Sequence, residues 1–224
     1  MIKWKLFTFA VLISPALFSQ TPPAAEPPAF RMSRSTAEQF NAVFNAGDFK
    51  EAADILASQK PEMIAASAQP EASAWLNRLI RAEYHSGDFA SMRSLISSLR
   101  GTPLAENLIA FELLAQIDEG RAAAVASALE KSELTIQTPA MEMVRARIAY
   151  AAGDMKTALR HFSRVQAFHY READWLAPAL FYEALIYRNT GSASAESFAV
   201  RELKASDPVG RWYKKAVEEL QVQQ

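Results

Sequence analysis

Apolar residues in this chain recur at steps of three and four. After Asp154, the residues Met155, Ala158, Leu159, Phe162 and Val165 fall on one helical face, and after Asp88 the same holds for Phe89, Met92, Leu95, Ile96 and Leu99. Near the C-terminus Val209, Trp212, Tyr213, Ala216, Val217 and Leu220 form another stripe, with Lys and Glu opposite. A period near 3.6 residues predicts amphipathic helices, and no stretch sustains the two-residue alternation of a strand.

A recurring phrase separates the helices. Residues 45–52 read NAGDFKEA, residues 85–92 read HSGDFASM and residues 151–158 read AAGDMKTA. Glycine takes the left-handed conformation that ends a helix without a side-chain clash, and an aspartate after it accepts from the free N–H groups of the next helix. Around Gly120 the text is DEGRAAAV, without the aspartate, and around Gly191 it is NTGSASAESF, where Ser192 is the candidate cap. Gly47, Gly87, Gly120, Gly153 and Gly191 lie 40, 33, 33 and 38 residues apart, a period that indicates stacked helical units.

The starts of the first helix in each unit are also marked. Ser35-Thr36-Ala37-Glu38 fits a capping box. Thr102-Pro103 and Thr138-Pro139, followed by Glu106 and Glu142, each predict a cap, a proline at the first helical position and an acid at the positive end of the helix dipole. Asp207-Pro208 repeats the device before the last stripe, so 207–224 is expected to form a lid that buries Trp212 and Leu220 on the last pair.

Taken together, Gly47-Asp48-Phe49 with Ala52, Gly87-Asp88-Phe89, Gly153-Asp154 with Ala158 and Phe162, and Tyr187 with Gly191 and Pro208 resemble the tetratricopeptide repeat family, and the last third resembles the terminal repeat and end helix of envelope-located members. The resemblance covers roughly 34–224; it departs from the family in its two long intervals and in Gly120, which lacks its aspartate. It implies an all-α fold: a right-handed α-solenoid of about five antiparallel helix pairs with a C-terminal capping helix. It also implies that the first helix of each pair lines a concave groove for extended peptides or partner helices. Counting back from each glycine by the family's spacing places Arg34, Asn41 and Asn45 there in the first unit, and Asn77, Arg81 and Tyr84 in the second. Asn107 with apolar Leu114 follows in the third, then Met143, Arg147 and Tyr150, then Phe181, Arg188 and Asn189. Arg81/Tyr84 and Arg147/Tyr150 stand at matching places. Arg offers a planar fork for carboxylates, Asn can pair with a peptide backbone, and Tyr gives a large contact with one polar tip. Together they would suit an extended, acidic or carboxylate-ended segment; alternatively, the tyrosines simply pack between repeats.

Composition narrows this reading at the chain ends and in its chemistry. Lys3 and Lys5 precede an apolar run from Leu6 to Phe18, the pattern of a secretory signal peptide cleaved near Ser19, with an uncleaved anchor as the alternative. Pro22, Pro23, Pro27 and Pro28 make 20–34 either an extended tether or a terminus left by processing, and the repeat domain spans 35–224. A periplasmic or secreted location is therefore expected. Of 224 residues, half are hydrophobic and the formal net charge is −1, which gives no support for a nucleic-acid partner. Without cysteine there is no disulfide, no thiolate metal site and no lipid attachment at the cleavage point.

His161 and His169 are eight residues apart, so they and His85 are expected as solvated helix-end histidines rather than metal ligands. No phosphate loop, nucleophile elbow or HExxH occurs, so neither an enzyme nor a cofactor is expected. The expected function is an exported scaffold or adaptor that binds a protein or peptide in a cell-envelope assembly or secretion complex. The alternatives are a structural subunit that self-associates edge to edge through Trp212 and Tyr213, or a small-molecule or glycan binder using Trp175, Phe181 and Tyr182.

Overall fold

The computed structural model describes residues 29–132, 138–169, 172–208 and 210–220; the expected signal peptide and most of the proline-rich segment lie outside them. The described residues form an all-α fold without strands. Five helix pairs follow one another: α1 (Arg34–Asn45) with α2 (Phe49–Ala57), α4 (Pro70–Ser86) with α5 (Phe89–Ser98), α6 (Ala105–Asp118) with α7 (Ala122–Glu130), α8 (Pro139–Ala151) with α9 (Met155–His169), and α10 (Ala173–Asn189) with α11 (Ala193–Ser206). A single helix, α12 (Arg211–Leu220), ends the array and packs on α10 and α11. The short α3 (Lys60–Ala65), which carries no glycine boundary, is inserted between the first two pairs and accounts for the 40-residue interval between Gly47 and Gly87.

The glycine–aspartate phrase does what its chemistry predicts. Gly47, Gly87 and Gly153 have φ of 81°, 83° and 79°. The next residue accepts from the new helix: Asp48 Oδ1 from the Glu51 N–H at 3.1 Å, Asp88 Oδ1 from Ser91 at 3.0 Å and Asp154 Oδ1 from Thr157 at 3.0 Å. These backbone bonds hold the Asp88 and Asp154 carboxyls below the usual range. Arg121 and Ser192 occupy the equivalent places after Gly120 and Gly191, but neither side chain caps its helix.

Helix starts follow the prediction less closely. Thr138 accepts from Met141 N–H at 3.2 Å with Pro139 at the first helical position, as expected. At α1 the cap is Ser33 rather than Ser35, and Glu38 pairs with Arg34 instead of closing a capping box. Thr102 donates its hydroxyl back to the Leu99 carbonyl, and α6 begins only at Ala105, after Pro103. The last residues of the expected tether are docked: Phe30 is buried, its N–H donates to Gln69 Oε1 at 2.6 Å, and Met32 N–H donates to Glu71 Oε1 at 3.0 Å.

Each pair packs on the next through α2–α4, α4–α6, α6–α8 and α9–α10, and the side chains between them form one continuous core. Trp175, Phe40, Phe162 and Phe181 are its largest fully buried members. Trp212 and Leu220 are buried by α12, with the Trp212 ring 5.4 Å from Phe181. Asp207 holds α12 in place, but not with Pro208 as the first helical residue. Its Oδ2 reaches forward to the Trp212 and Tyr213 N–H groups at 3.0 and 3.3 Å, so the carboxylate lies directly over Gly210.

A Cβ on Gly210 would stand 1.7 Å from Asp207 Oδ1, whereas one on Gly87 would meet nothing within 4 Å and only strain the backbone at φ +83°. Gly210→Ala is therefore expected to displace the cap and destabilise by about 2–4 kcal/mol, against about 1–2 kcal/mol for Gly87→Ala. Urea denaturation of the two variants beside the parent checks the order.

Candidate functional site: the seam between first and last helices

The last elements return to the first. Gly47, in the α1–α2 turn, lies against Asp207 and Gly210, and Arg211 Nη1 donates to the His85 carbonyl at 3.3 Å. An ion cluster joins α4 to the start of α10. Arg81 donates through Nε to Asp174 Oδ2 at 2.7 Å and through Nη2 to Oδ1 at 2.5 Å, and Nη2 also lies 3.0 Å from Glu172 Oε2. The His85 ring, 1% exposed, sits between Phe49 and Trp175 with Nε2 3.4 Å from Asp174 Oδ2. Asp174 is 4% exposed. Burial alone would raise its carboxyl, but the adjoining His85 ring and the forked Arg81 guanidinium overturn that and hold it at about 2.

The second expected Arg/Tyr pair is also engaged internally. Arg147 is buried, with Nη1 2.7 Å from Asp118 Oδ1 and its guanidinium 5.1 Å from the Tyr182 ring. Tyr84 is buried against Phe111 and Trp175, and half-buried Tyr150 packs edge-on against Tyr182. The arginines of the two pairs thus contact the chain's own acids, and the tyrosines pack between helices, as in the alternative stated for them.

The remaining expected residues scatter. Exposed Arg34 pairs with Glu38 along α1, Asn77 is half-buried, and the Asn107 side chain lies outside the described residues. Arg188 ties the end of α10 to Glu196 and to the Glu219 and Leu220 carbonyls, while Asn189 is exposed beside it. Trp212 and Tyr213 are buried and offer no edge for self-association; Trp175, Phe181 and Tyr182 are buried and offer no sugar platform. His85 is a core residue rather than a solvated one, while His161 and His169 lie 2.8 and 3.1 Å from Glu142 and Glu172.

Two spaces flank the seam. An inner cavity of about 150 Å³ gathers Asn41, Asn45 and Arg81, with Arg78 donating to Asn41 Oδ1 at 2.8 Å. On the other side is a groove of about 790 Å³ between the 46–50 turn, the end of α4 and the polar face of α12. Lys50, Arg211, Lys214 and Lys215 line it together with Glu218 and Glu219. Among the described residues neither Arg211 nor Lys214 has a carboxylate within 4 Å, whereas Lys50 pairs with Asp54 and Lys215 with Glu219. These α12 residues were not among the sequence candidates, although the Lys and Glu opposite the Trp212 stripe were visible in the sequence. Among the described residues no group of three His, Asp or Glu side chains is placed to hold a metal ion, and no helix is long and apolar enough to cross a membrane. The chain matches no protein-family profile, no curated protein and no solved structure.

Removing one partner of a buried ion pair leaves the other uncompensated. Arg81→Met and Asp174→Asn are each expected to destabilise by about 3–5 kcal/mol, and the double variant by much less than their sum. The Asp174 carboxyl is depressed from its ordinary 3.8, so its contribution is complete above about pH 4 and is lost as pH falls through about 2. Burial pushes the Glu83, Glu183 and Asp207 carboxyls the other way, and their protonation on acidification stabilises the fold. Urea midpoints measured from pH 7 to pH 2 should therefore fall steeply only below about pH 4, and the Asp174→Asn variant should lack this carboxyl's share of that fall.

Proposed function

We propose that the chain is an exported scaffold of tetratricopeptide type, its helix pairs wound as a right-handed solenoid, that binds an extended acidic segment of a protein partner in a cell-envelope complex. The repeated glycine–aspartate turns and the pairwise helix packing support the solenoid reading. The lysine-led apolar run at 3–18 supports export. The binding surface is the groove along α12 rather than the first-helix faces, whose arginines are occupied by Asp174, Glu172 and Asp118.

One observation carries this reading: Arg211 and Lys214 line an open groove, and among the described residues neither lies within 4 Å of a carboxylate. A partner's Asp or Glu side chains would supply one, and such surface pairing steers association and weakens as salt rises.

Lys214→Glu changes an exposed groove cation and leaves the Arg211 bond to the His85 carbonyl intact, so the helical circular-dichroism spectrum should be retained. Incubated with envelope extract, the parent protein should retain a partner that the variant loses and that high salt releases from the parent. Identical partners on both proteins would overturn the assignment of recognition to this groove.

A further inference from the structure

The polar face of α12 has an unusual order. Arg211, Lys214, Lys215, Glu218 and Glu219 stand at i, i+3, i+4, i+7 and i+8, and all five line the groove. The cations come first and the acids last. A helix favours the reverse, because its N-terminus is already positive and its C-terminus already negative. Both i,i+4 pairs also place lysine before glutamate, the weaker order. Lys215 and Glu219 approach only to 3.5 Å, and Lys214 and Glu218 form no ion pair within 4 Å. Side-chain charges and helix dipole therefore add, giving the α12 wall of the groove one positive and one negative end, opposite Asp48 and Lys50. The facing wall comes from the 46–50 turn with His85 and Ser86.

We propose that the groove takes an extended, charge-segregated segment of a partner protein, acidic where it meets Arg211 and Lys214 and basic where it meets Glu218 and Glu219. This rests on the groove being the partner-binding surface, as argued above, and adds the polarity of what binds. Arg211 to Glu219 spans roughly 12 Å at 1.5 Å per helical residue. An extended chain covers that distance in about four residues. A uniformly acidic segment would satisfy the first half and be repelled by the second. A segment with opposed ends relieves both, and it also relieves the conflict between α12 and its own dipole.

The test uses three capped synthetic peptides: one with three aspartates at one end and three lysines at the other, one of the same composition with the charges alternating, and one with aspartates alone. Binding to the isotope-labelled protein is read by NMR titration, and a nitroxide on the acidic end of the first peptide reports its orientation. The segregated peptide is expected to bind about tenfold more tightly than either control and to broaden signals at Arg211–Lys214. In the variant Lys214→Glu/Lys215→Glu/Glu218→Lys/Glu219→Lys, which keeps the Arg211 bond to the His85 carbonyl, it should bind comparably with the broadening moved to residues 218–219. That variant should also melt a few degrees higher, since its charges now suit the helix dipole. If the all-aspartate peptide binds as tightly as the segregated one, the polarity fails and the groove reading stands. Equal binding of alternating and segregated peptides, or broadening that does not move in the swapped variant, overturns the proposal. If none of the peptides binds, both readings fall.

Discussion

Arg81 and Asp174 meet across 93 residues of sequence, and the relation between the two ends of the helix array depends on that meeting. Helix pairs that pack only on their neighbours fix each local step but not where the last unit lies relative to the first. The forked guanidinium–carboxylate contact specifies an orientation as well as a distance, because two parallel N–H bonds must be satisfied at once. His85, Phe49, Tyr84 and Trp175 bury the Asp174 side of the contact, while Arg81 borders the inner cavity; the burial strengthens the contact and makes a mismatched arrangement expensive. A buried ion pair of this kind adds little net stability compared with well-packed apolar groups. What it supplies, together with the Gly47–Asp207 and Arg211–His85 contacts, is a defined closure flanked by the inner cavity and the outer groove.

Legibility in the sequence tracked the range of the interaction. The glycine–aspartate turns could be read because cause and effect lie within four residues: a left-handed glycine, then a carboxylate reaching an N–H three positions on. Thr138-Pro139 was readable for the same reason. Asp207 shows where local reading stops, since its carboxylate skips over Pro208 and Gly210 to the N–H groups of Trp212 and Tyr213. The short α3 has no boundary glycine, so the repeat spacing registered it only as an over-long interval. Arg81 and Arg147 stand on first helices at matching places, and the family resemblance reads them as facing a partner. Their acids, Asp174 and Asp118, belong to other helix pairs, so the same spacing that marks an open clamp also marks a filled one.

The groove escaped the sequence reading for a related reason. Its α12 wall was plain as the polar side of an amphipathic stripe, but its opposite wall comes from Gly47–Lys50 and His85–Ser86, far earlier in the chain. Only the closure of the array turns a solvated helix face into one side of a cleft. The conflict between the α12 charges and the helix dipole amounts to about 0.3–1 kcal/mol for each charge near an end. That is small enough for a helix anchored by Trp212 and Leu220 to tolerate and large enough to shape the field in front of it.

The meeting of Gly47 with Asp207 and Gly210 also bears on how the molecule comes apart. An open row of helical units frays from its ends, because a terminal unit has one neighbour and lets go first. Here the first and last units touch, so neither is a free end. Joining units so distant in sequence adds little penalty, since each doubling of a loop adds only about 0.6 kcal/mol of closure entropy. Backbone amides of α1 and α12 should therefore exchange with solvent together with those of the central helices, in one cooperative opening rather than by successive peeling.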